Sequence, residues 1–171
     1  MQLKALFQMT YPSYTRLMSK SISASIPSPF GQLAVSESDG AITKVDWKDT
    51  ENPQTSRLLE KTAEQLAAYF AGELKEFDLP LKPSGDAFQQ SVCDAMLKVP
   101  YGETTTYGAI ADQLETYGQP VGRACGMNSI PIIIPCHRVL AADGIGGYSG
   151  DGGVERKIEL LKLEGGFPYL L

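Results

Sequence analysis

Between Pro131 and Pro135 the chain carries an unbroken run of three isoleucines, Ile132, Ile133 and Ile134, followed at once by Cys136, His137 and Arg138. β-Branched residues favour extended backbone, and a proline cannot donate to a ladder, so the run reads as a short strand buried on both faces. Such a strand delivers Cys136 to its own exit. His137 is the only histidine of the chain, and a thiol beside an imidazole and the cationic Arg138 is favoured as thiolate. An unperturbed thiol, with a pKa of roughly 8.5, is only about 3% ionised at pH 7. A depression of two units raises the nucleophile about thirty-fold, a bias of about 2.7 kcal/mol. The plainer reading makes Cys136 a small core hydrophobe and His137 an ordinary polar residue. Neighbouring side chains on a strand point to opposite faces, so the pair communicates only if the chain turns or a water links them.

At 171 residues the chain holds one ordinary domain or two small ones sharing an interface. No apolar run approaches the roughly 18 residues of a membrane span, and the N-terminus lacks the apolar block of a secretory signal. The three cysteines, Cys93, Cys125 and Cys136, have no metal-ligand spacing and only one histidine beside them, which points to a reducing cytoplasm and no metal. The formal net charge is −5, an unfavourable balance for a nucleic-acid partner, whose non-specific affinity comes from Lys and Arg. Residues 88–171 alone carry six basic and nine acidic side chains, net −3. Binding to DNA would need Arg123, Arg138, Arg156 and Lys157 to share a face, and would be weak and salt-sensitive.

Residues 1–20 contain Lys4, Arg16 and Lys20, with no acid before Glu37. They read as a loosely ordered tail, with a presequence or a start at Met18 as alternatives. Residues 21–80 form a first unit. Ser28-Pro-Phe-Gly31 is a turn, Gln32–Ser36 and Ile42–Trp47 alternate as half-buried strands, and Asp39-Gly40 joins them as a hairpin. A helix capped by Asn52, with Pro53 first, then presents Leu59, Ala63, Leu66 and Phe70 on one face until Gly72. The segment Leu79–Gly85 is a linker.

The second unit, 86–171, opens with a helix capped near Asp86 that buries Phe88, Val92, Ala95, Met96 and Val99, with Cys93 as a core thiol. Tyr107–Leu114 is a second helix, and Pro120 starts a short third one through Arg123 to about Gly126. Two short helices about a Gly-containing turn, followed by strands, read as a winged helix-turn-helix. Val139 to Gly150 is a Gly-rich loop that lets backbone amides approach a ligand. The last helix, about Gly153 to Glu164, carries Val154, Ile158 and Leu161 on one stripe and ends on Gly165-Gly166. Glu164 sits in the final turn, where the helix dipole disfavours a carboxylate by up to about 1 kcal/mol.

Pro135-Cys136-His137-Arg138, with Asn128 eight residues before the Cys and Tyr148-Ser149-Gly150 twelve to fourteen after it, resembles the active-site segment of the O6-alkylguanine-DNA alkyltransferases. The resemblance spans about residues 22–166, with Phe88–Val92, Val99–Gly102, Thr106-Tyr107 and Val154–Ile158 as further landmarks. It implies an α+β chain: a small antiparallel sheet plus helix of ribonuclease H-like type, then a winged helix-turn-helix lobe carrying the reactive cysteine. It implies transfer of an alkyl group from O6-alkylguanine, or O4-alkylthymine, in double-stranded DNA to Cys136, once per molecule, by a monomer without cofactor or membrane partner.

The same resemblance implies the roles of individual residues. His137 takes the thiol proton through a water, Glu164 orients His137, and Asn128 holds neighbouring backbone. Tyr107 donates to the ring nitrogen on the minor-groove edge, Ser149 approaches O6, Tyr148 walls the pocket, the Val139 carbonyl meets the exocyclic amine, and Lys157 stands near this loop. Arg138 is among the DNA-contacting residues. Arg123 resembles the arginine that fills the vacated stack, but only four residues separate it from Asn128 where the family usually has about four more. Two rivals remain: a module that recognises alkylated DNA without a reactive Cys, and a hydrolytic cysteine enzyme.

Overall fold

The computed structural model describes residues 21–166; the N-terminal tail expected over 1–20 lies outside the described residues. Strands β1 (Ile22–Ser28), β2 (Gly31–Ser38) and β3 (Ala41–Asp46) form an antiparallel sheet in that order, with Ile26 opposite Leu33 and Val35 opposite Val45. The two expected strands are present, and β1 is an addition. It is an edge strand, where Pro27 is tolerated. Leu33, Val35, Ile42 and Val45 turn inward and are buried. Helix α1 (Arg57–Phe70) packs on β1 and β2.

Helix α1 starts later than Asn52-Pro53 suggests. The Ser56 hydroxyl accepts from the Leu59 amide at 3.0 Å and donates to Glu37 at 2.6 Å, while Gln54 N–H donates to the Ser23 carbonyl of β1 at 2.7 Å. The bond to the sheet holds the chain extended past Pro53, and the helix is capped by Ser56 instead. The buried stripe is accordingly Leu59, Thr62, Leu66 and Tyr69, turned by about one residue from the expected one.

The segment read as a linker is pinned to the free edge of β3. Ile42 N–H donates to Pro80 O and Lys82 N–H to Ile42 O, both at 2.8 Å, and Val45 N–H donates to Ser129 O at 2.9 Å. An exposed edge is thereby covered by the second half of the chain. That half contains α2 (Ala87–Leu97, capped by Asp86), β4 (Thr105–Thr106), α3 (Tyr107–Gln113, capped by Thr106), α4 (Gly118–Gly126), β5 (Val139–Leu140) and α5 (Gly153–Leu163). β4 and β5 pair in parallel, and α3 packs on α4. The buried face of α5 is Lys157, Leu160 and Leu161, so one charged residue replaces part of the expected apolar stripe. Among the described residues no helix is long and apolar enough to cross a membrane.

The two halves also meet through one carboxylate. Glu164, the C-cap residue of α5, is buried and accepts from the Tyr69 hydroxyl of α1 at 2.7 Å. It also accepts from Arg138 Nε at 2.9 Å and Nη2 at 3.0 Å, and from the Gly102 amide at 3.4 Å. Burial alone would raise its pKa, but hydrogen bonds from His137, Arg138 and the Tyr69 hydroxyl outweigh burial and lower it from its ordinary 4.5 to about 2. A folded-state pKa below the unfolded value means stability that is fully present above pH 4.5 and is lost as pH falls toward 2. Acid unfolding followed by circular dichroism is expected to show this loss, about 3 kcal/mol for the group, and Glu164→Gln is expected to lower stability at pH 7 while flattening the profile between pH 4.5 and 2.

Candidate active site

The isoleucine run is not a strand. Residues 131–133 form a turn, Ile134 N–H donates to Ile130 O at 2.9 Å, and Ile132 has φ 74°, a left-handed conformation that a β-branched residue adopts only under constraint. Asn128 supplies the constraint: its Nδ2 donates to Ile134 O at 2.8 Å and its Oδ1 accepts from Ile130 N–H at 3.0 Å. One amide thus takes the backbone groups that a ladder would have used. Ile130, Ile132, Ile133 and Ile134 remain buried, as the apolar run requires, but coiled rather than extended.

From Pro135 the chain passes into a 3₁₀ turn, Cys136–Arg138, with Arg138 N–H on Pro135 O at 3.0 Å. Successive side chains on such a turn diverge by about 120°. Cys136 therefore faces one way, and His137 and Arg138 turn onto Glu164. The ring Nε2 of His137 lies 2.7 Å from Glu164 Oε1, and the ring is wholly buried. Its Nδ1 is buried and bonds to no described protein atom. Burial lowers the His137 pKa, although Glu164 opposes the shift, so the ring is neutral at pH 7.

Two expectations about charge are corrected by this geometry. Arg138 is 6% exposed, forked on Glu164, and donates through Nη1 to Val99 O at 2.6 Å. With three of its five donors bonded inside the protein, its guanidinium turns to Glu164 and Val99 rather than to solvent, where a DNA contact would stand. Nor does it depress the Cys136 thiol: burial pushes that pKa up, against the Asn128 amide, the Lys157 cation and the backbone N–H groups of Cys136 and His137. The cation serving Cys136 is Lys157, read in the sequence only as a loop neighbour. Lys157 is fully buried, and its Nζ donates to Val139 O at 2.6 Å and Gly147 O at 3.0 Å. Burial lowers its pKa to about 8. The shared basic face that DNA binding would need from Arg123, Arg138, Arg156 and Lys157 does not form, because Arg138 and Arg156 turn to partners and Lys157 is inside.

Cys136 opens on a cavity of about 410 Å³. It is lined by Tyr107, by residues 147–149 and by Gly122, Cys125 and Gly126 of α4. Tyr107 Oη is 3.4 Å from Gly147 O, and burial raises its pKa to about 12. Cys125 stands beside Cys136 on this cavity, and burial pushes its thiol up to about 12. The glycines of α4 that admit the cavity were not singled out; the i, i+4 spacing of Gly118, Gly122 and Gly126 is the signal that marks their common edge. Arg123 is exposed and lies with Gln119, Pro120 and Met127 around a separate cavity, about 100° round the helix from Gly122. The structure does not bring it to Cys136.

The loop carrying Tyr148 and Ser149 is held from the N-terminal sheet. A Cβ at Gly150 would lie 2.3 Å from the Tyr148 ring and 3.0 Å from Trp47 Nε1, so only glycine fits. Arg156 of α5 places its guanidinium 4.1 Å from the Phe30 ring centre and 5.5 Å from that of Trp47. These cation–π contacts tie the start of α5 to the sheet. No reading of the sequence alone connects Phe30 and Trp47 with this loop.

Comparison with known proteins gives a consistent result. Residues 87–166 match the model of the 6-O-methylguanine DNA methyltransferase DNA binding domain, and residues 22–83 match that of the 6-O-methylguanine DNA methyltransferase ribonuclease-like domain. The methylated-DNA--protein-cysteine methyltransferase of Mycolicibacterium paratuberculosis is 43% identical over 152 residues, covering 81% of this chain and 89% of the relative. That of Methanosarcina acetivorans is 41% identical over 152 residues, covering 81% and 94%. The structure resembles that of the Mycobacterium tuberculosis O6-methylguanine methyltransferase, with TM-score 0.75, 40% identity and coverage of 85% and 93%. It also resembles the Mycobacterium tuberculosis OGT in complex with DNA, with TM-score 0.73, 44% identity and coverage of 84% and 92%. By these matches across both halves, the chain that folds around Cys136 belongs to the 6-O-methylguanine DNA methyltransferase family.

Proposed function

We propose that this protein repairs DNA directly, moving the alkyl group of O6-alkylguanine onto Cys136. One observation carries the reading: a buried thiol opens on a 410 Å³ cavity while the imidazole of the next residue is held by a buried carboxylate. The cavity lies within the range of about 300–1,000 Å³ of small-molecule sites. The alkylated base inside a duplex is out of reach of a buried thiol, so the nucleotide is extruded, at a cost of a few kcal/mol. In this reading residues 21–80 are the scaffold and 86–171 the acceptor unit, and α3 and α4 act as a winged helix-turn-helix on DNA. A recognition module without chemistry has no use for the Cys136 site.

The S–C bond forms as the C–O6 bond breaks, and the electron pair of that bond leaves on guanine. The thiol proton passes through a water to His137 Nδ1, the ring face not used by Glu164. Glu164 holds the ring through Nε2 and stabilises the imidazolium. Lys157 supplies positive charge beside the thiolate and fastens Gly147 and Val139 to α5. Tyr107 donates to the ring nitrogen on the minor-groove edge of the base, and Ser149 donates toward O6, so that the departing anion is met by hydrogen-bond donors. The Val139 carbonyl faces the exocyclic amine, Tyr148 walls the cavity, and Asn128 keeps the 130–134 turn closed behind the cysteine. The product is a thioether, and one molecule repairs one lesion.

Incubation with excess duplex containing O6-methylguanine, followed by peptide mass analysis, is expected to find one added methylene on Cys136 and none on Cys93 or Cys125; an unmodified Cys136 would overturn the reading. Because burial lowers the His137 pKa, the base form persists below pH 6.5. The alkylation rate is therefore expected to hold level from pH 7, where Lys157 is still mostly charged, through 6.5 and to fall only in more acid solution. His137→Ala is expected to slow single-turnover alkylation about 10²-fold or more, and a fall centred at pH 6.5 or above in the parent would contradict the assignment.

A further inference from the structure

We propose that Tyr117 is the side chain that enters the duplex stack when the damaged nucleotide leaves it, which rests on the reading of Cys136 given above. Extrusion of a nucleotide leaves a gap between neighbouring bases, and proteins that open a stack commonly insert an apolar or planar side chain there. Such a residue has to be exposed and has to stand at the mouth of the cavity that receives the base. Among the described residues the exposed large apolar side chains are Leu97, Tyr117 and Met127. Leu97 borders a cavity with Lys75 and Tyr101, and Met127 lies with Arg123 on the α4 face turned away from Cys136. Tyr117 is 82% exposed. The next residue, Gly118, backs onto Tyr107 of the cavity wall, with 3.9 Å from its Cβ position to the Tyr107 Cβ.

The local structure presents this ring without using it. Tyr117 is the N-cap residue of α4 and makes no side-chain cap hydrogen bond, at a position where Ser, Thr, Asp or Asn contributes to stability. The turn before it is fixed rather than loose: Thr116 N–H donates to Ala111 O at 2.9 Å, and Glu115 adopts φ 52°, which a non-glycine residue rarely does. A strained turn therefore projects an aromatic ring into solvent at the start of α4, the helix whose Gly122, Cys125 and Gly126 line the cavity. Residues 117–127 contain no acid and one base, Arg123, so phosphate is approached from the α4 side of Tyr117, away from the exposed Glu115 of the preceding turn. An aromatic ring stacks on any base, which suits a search that does not depend on sequence.

The test compares single-turnover alkylation of a duplex containing O6-methylguanine with that of the same strand unpaired, where less stacking has to be opened. Tyr117→Ala is expected to lower the duplex-to-single-strand rate ratio about tenfold, and Tyr117→Phe, which keeps the ring, to restore it. Thermal melting of both variants is expected to match the parent, because so exposed a side chain contributes little packing. An unchanged ratio in Tyr117→Ala, or an equal loss in Tyr117→Ala and Tyr117→Phe, would overturn the assignment. Failure of the underlying reading looks different: the parent itself would then leave Cys136 unmodified on both strand forms.

Discussion

The carboxylate of Glu164 is the interaction on which the rest depends. Its two oxygens collect a phenol from α1, an imidazole and a guanidinium from the 3₁₀ turn, and the amide of Gly102. An ionised carboxylate inside a protein is costly unless its lone pairs are matched, and here the matching groups come from segments far apart in the chain. Removal of any one partner leaves a charged acceptor short of donors. The network therefore fixes where α5, α1 and the Cys136–Arg138 turn stand relative to one another, and with them the orientation of the His137 ring.

Around this anchor the site separates two tasks that the tetrapeptide places side by side. Because the chain coils at Cys136, thiol and imidazole diverge, and the histidine is committed by its Nε2 to Glu164. Charge near the sulfur comes from Lys157, on another element, whose ammonium also ties Val139 O to Gly147 O. The cost of burying that ammonium, visible in its pKa of about 8, is offset by two carbonyl partners and the nearby thiols. The N-terminal half enters through Phe30 and Trp47, which both face the Arg156 guanidinium, and through Trp47, which closes against Gly150. The first half of the chain thereby takes part in shaping the cavity although none of its residues lines it.

Much of the element order was legible because hydrophobic period and caps act locally. Asp86 and Thr106 cap their helices as their residue types predict, and the Asp39-Gly40 hairpin stands between β2 and β3 with both residues at positive φ. Two of the errors come from hydrogen bonds that override a residue preference, one from a distant strand and one from within the turn itself. Gln54 bound to Ser23 delays α1 past Pro53, and Asn128 bound to Ile130 and Ile134 curls a run that otherwise favours a strand. The awkward carboxylate at the end of α5 was the one local conflict that pointed correctly to long-range structure.

By itself the sequence determined the reactive tetrapeptide, the spacing of Asn128 and Ser149 about it, and the apolar runs that must be buried, since these follow from residue type and order. Only the tertiary structure decided which charge serves the sulfur. Arg138 is adjacent and turns away, while Lys157 lies 21 residues on and turns inward. Covalent neighbours on a tight turn point apart, whereas residues on separate elements are brought together by burial and paired hydrogen bonds, and no spacing along the chain encodes that choice.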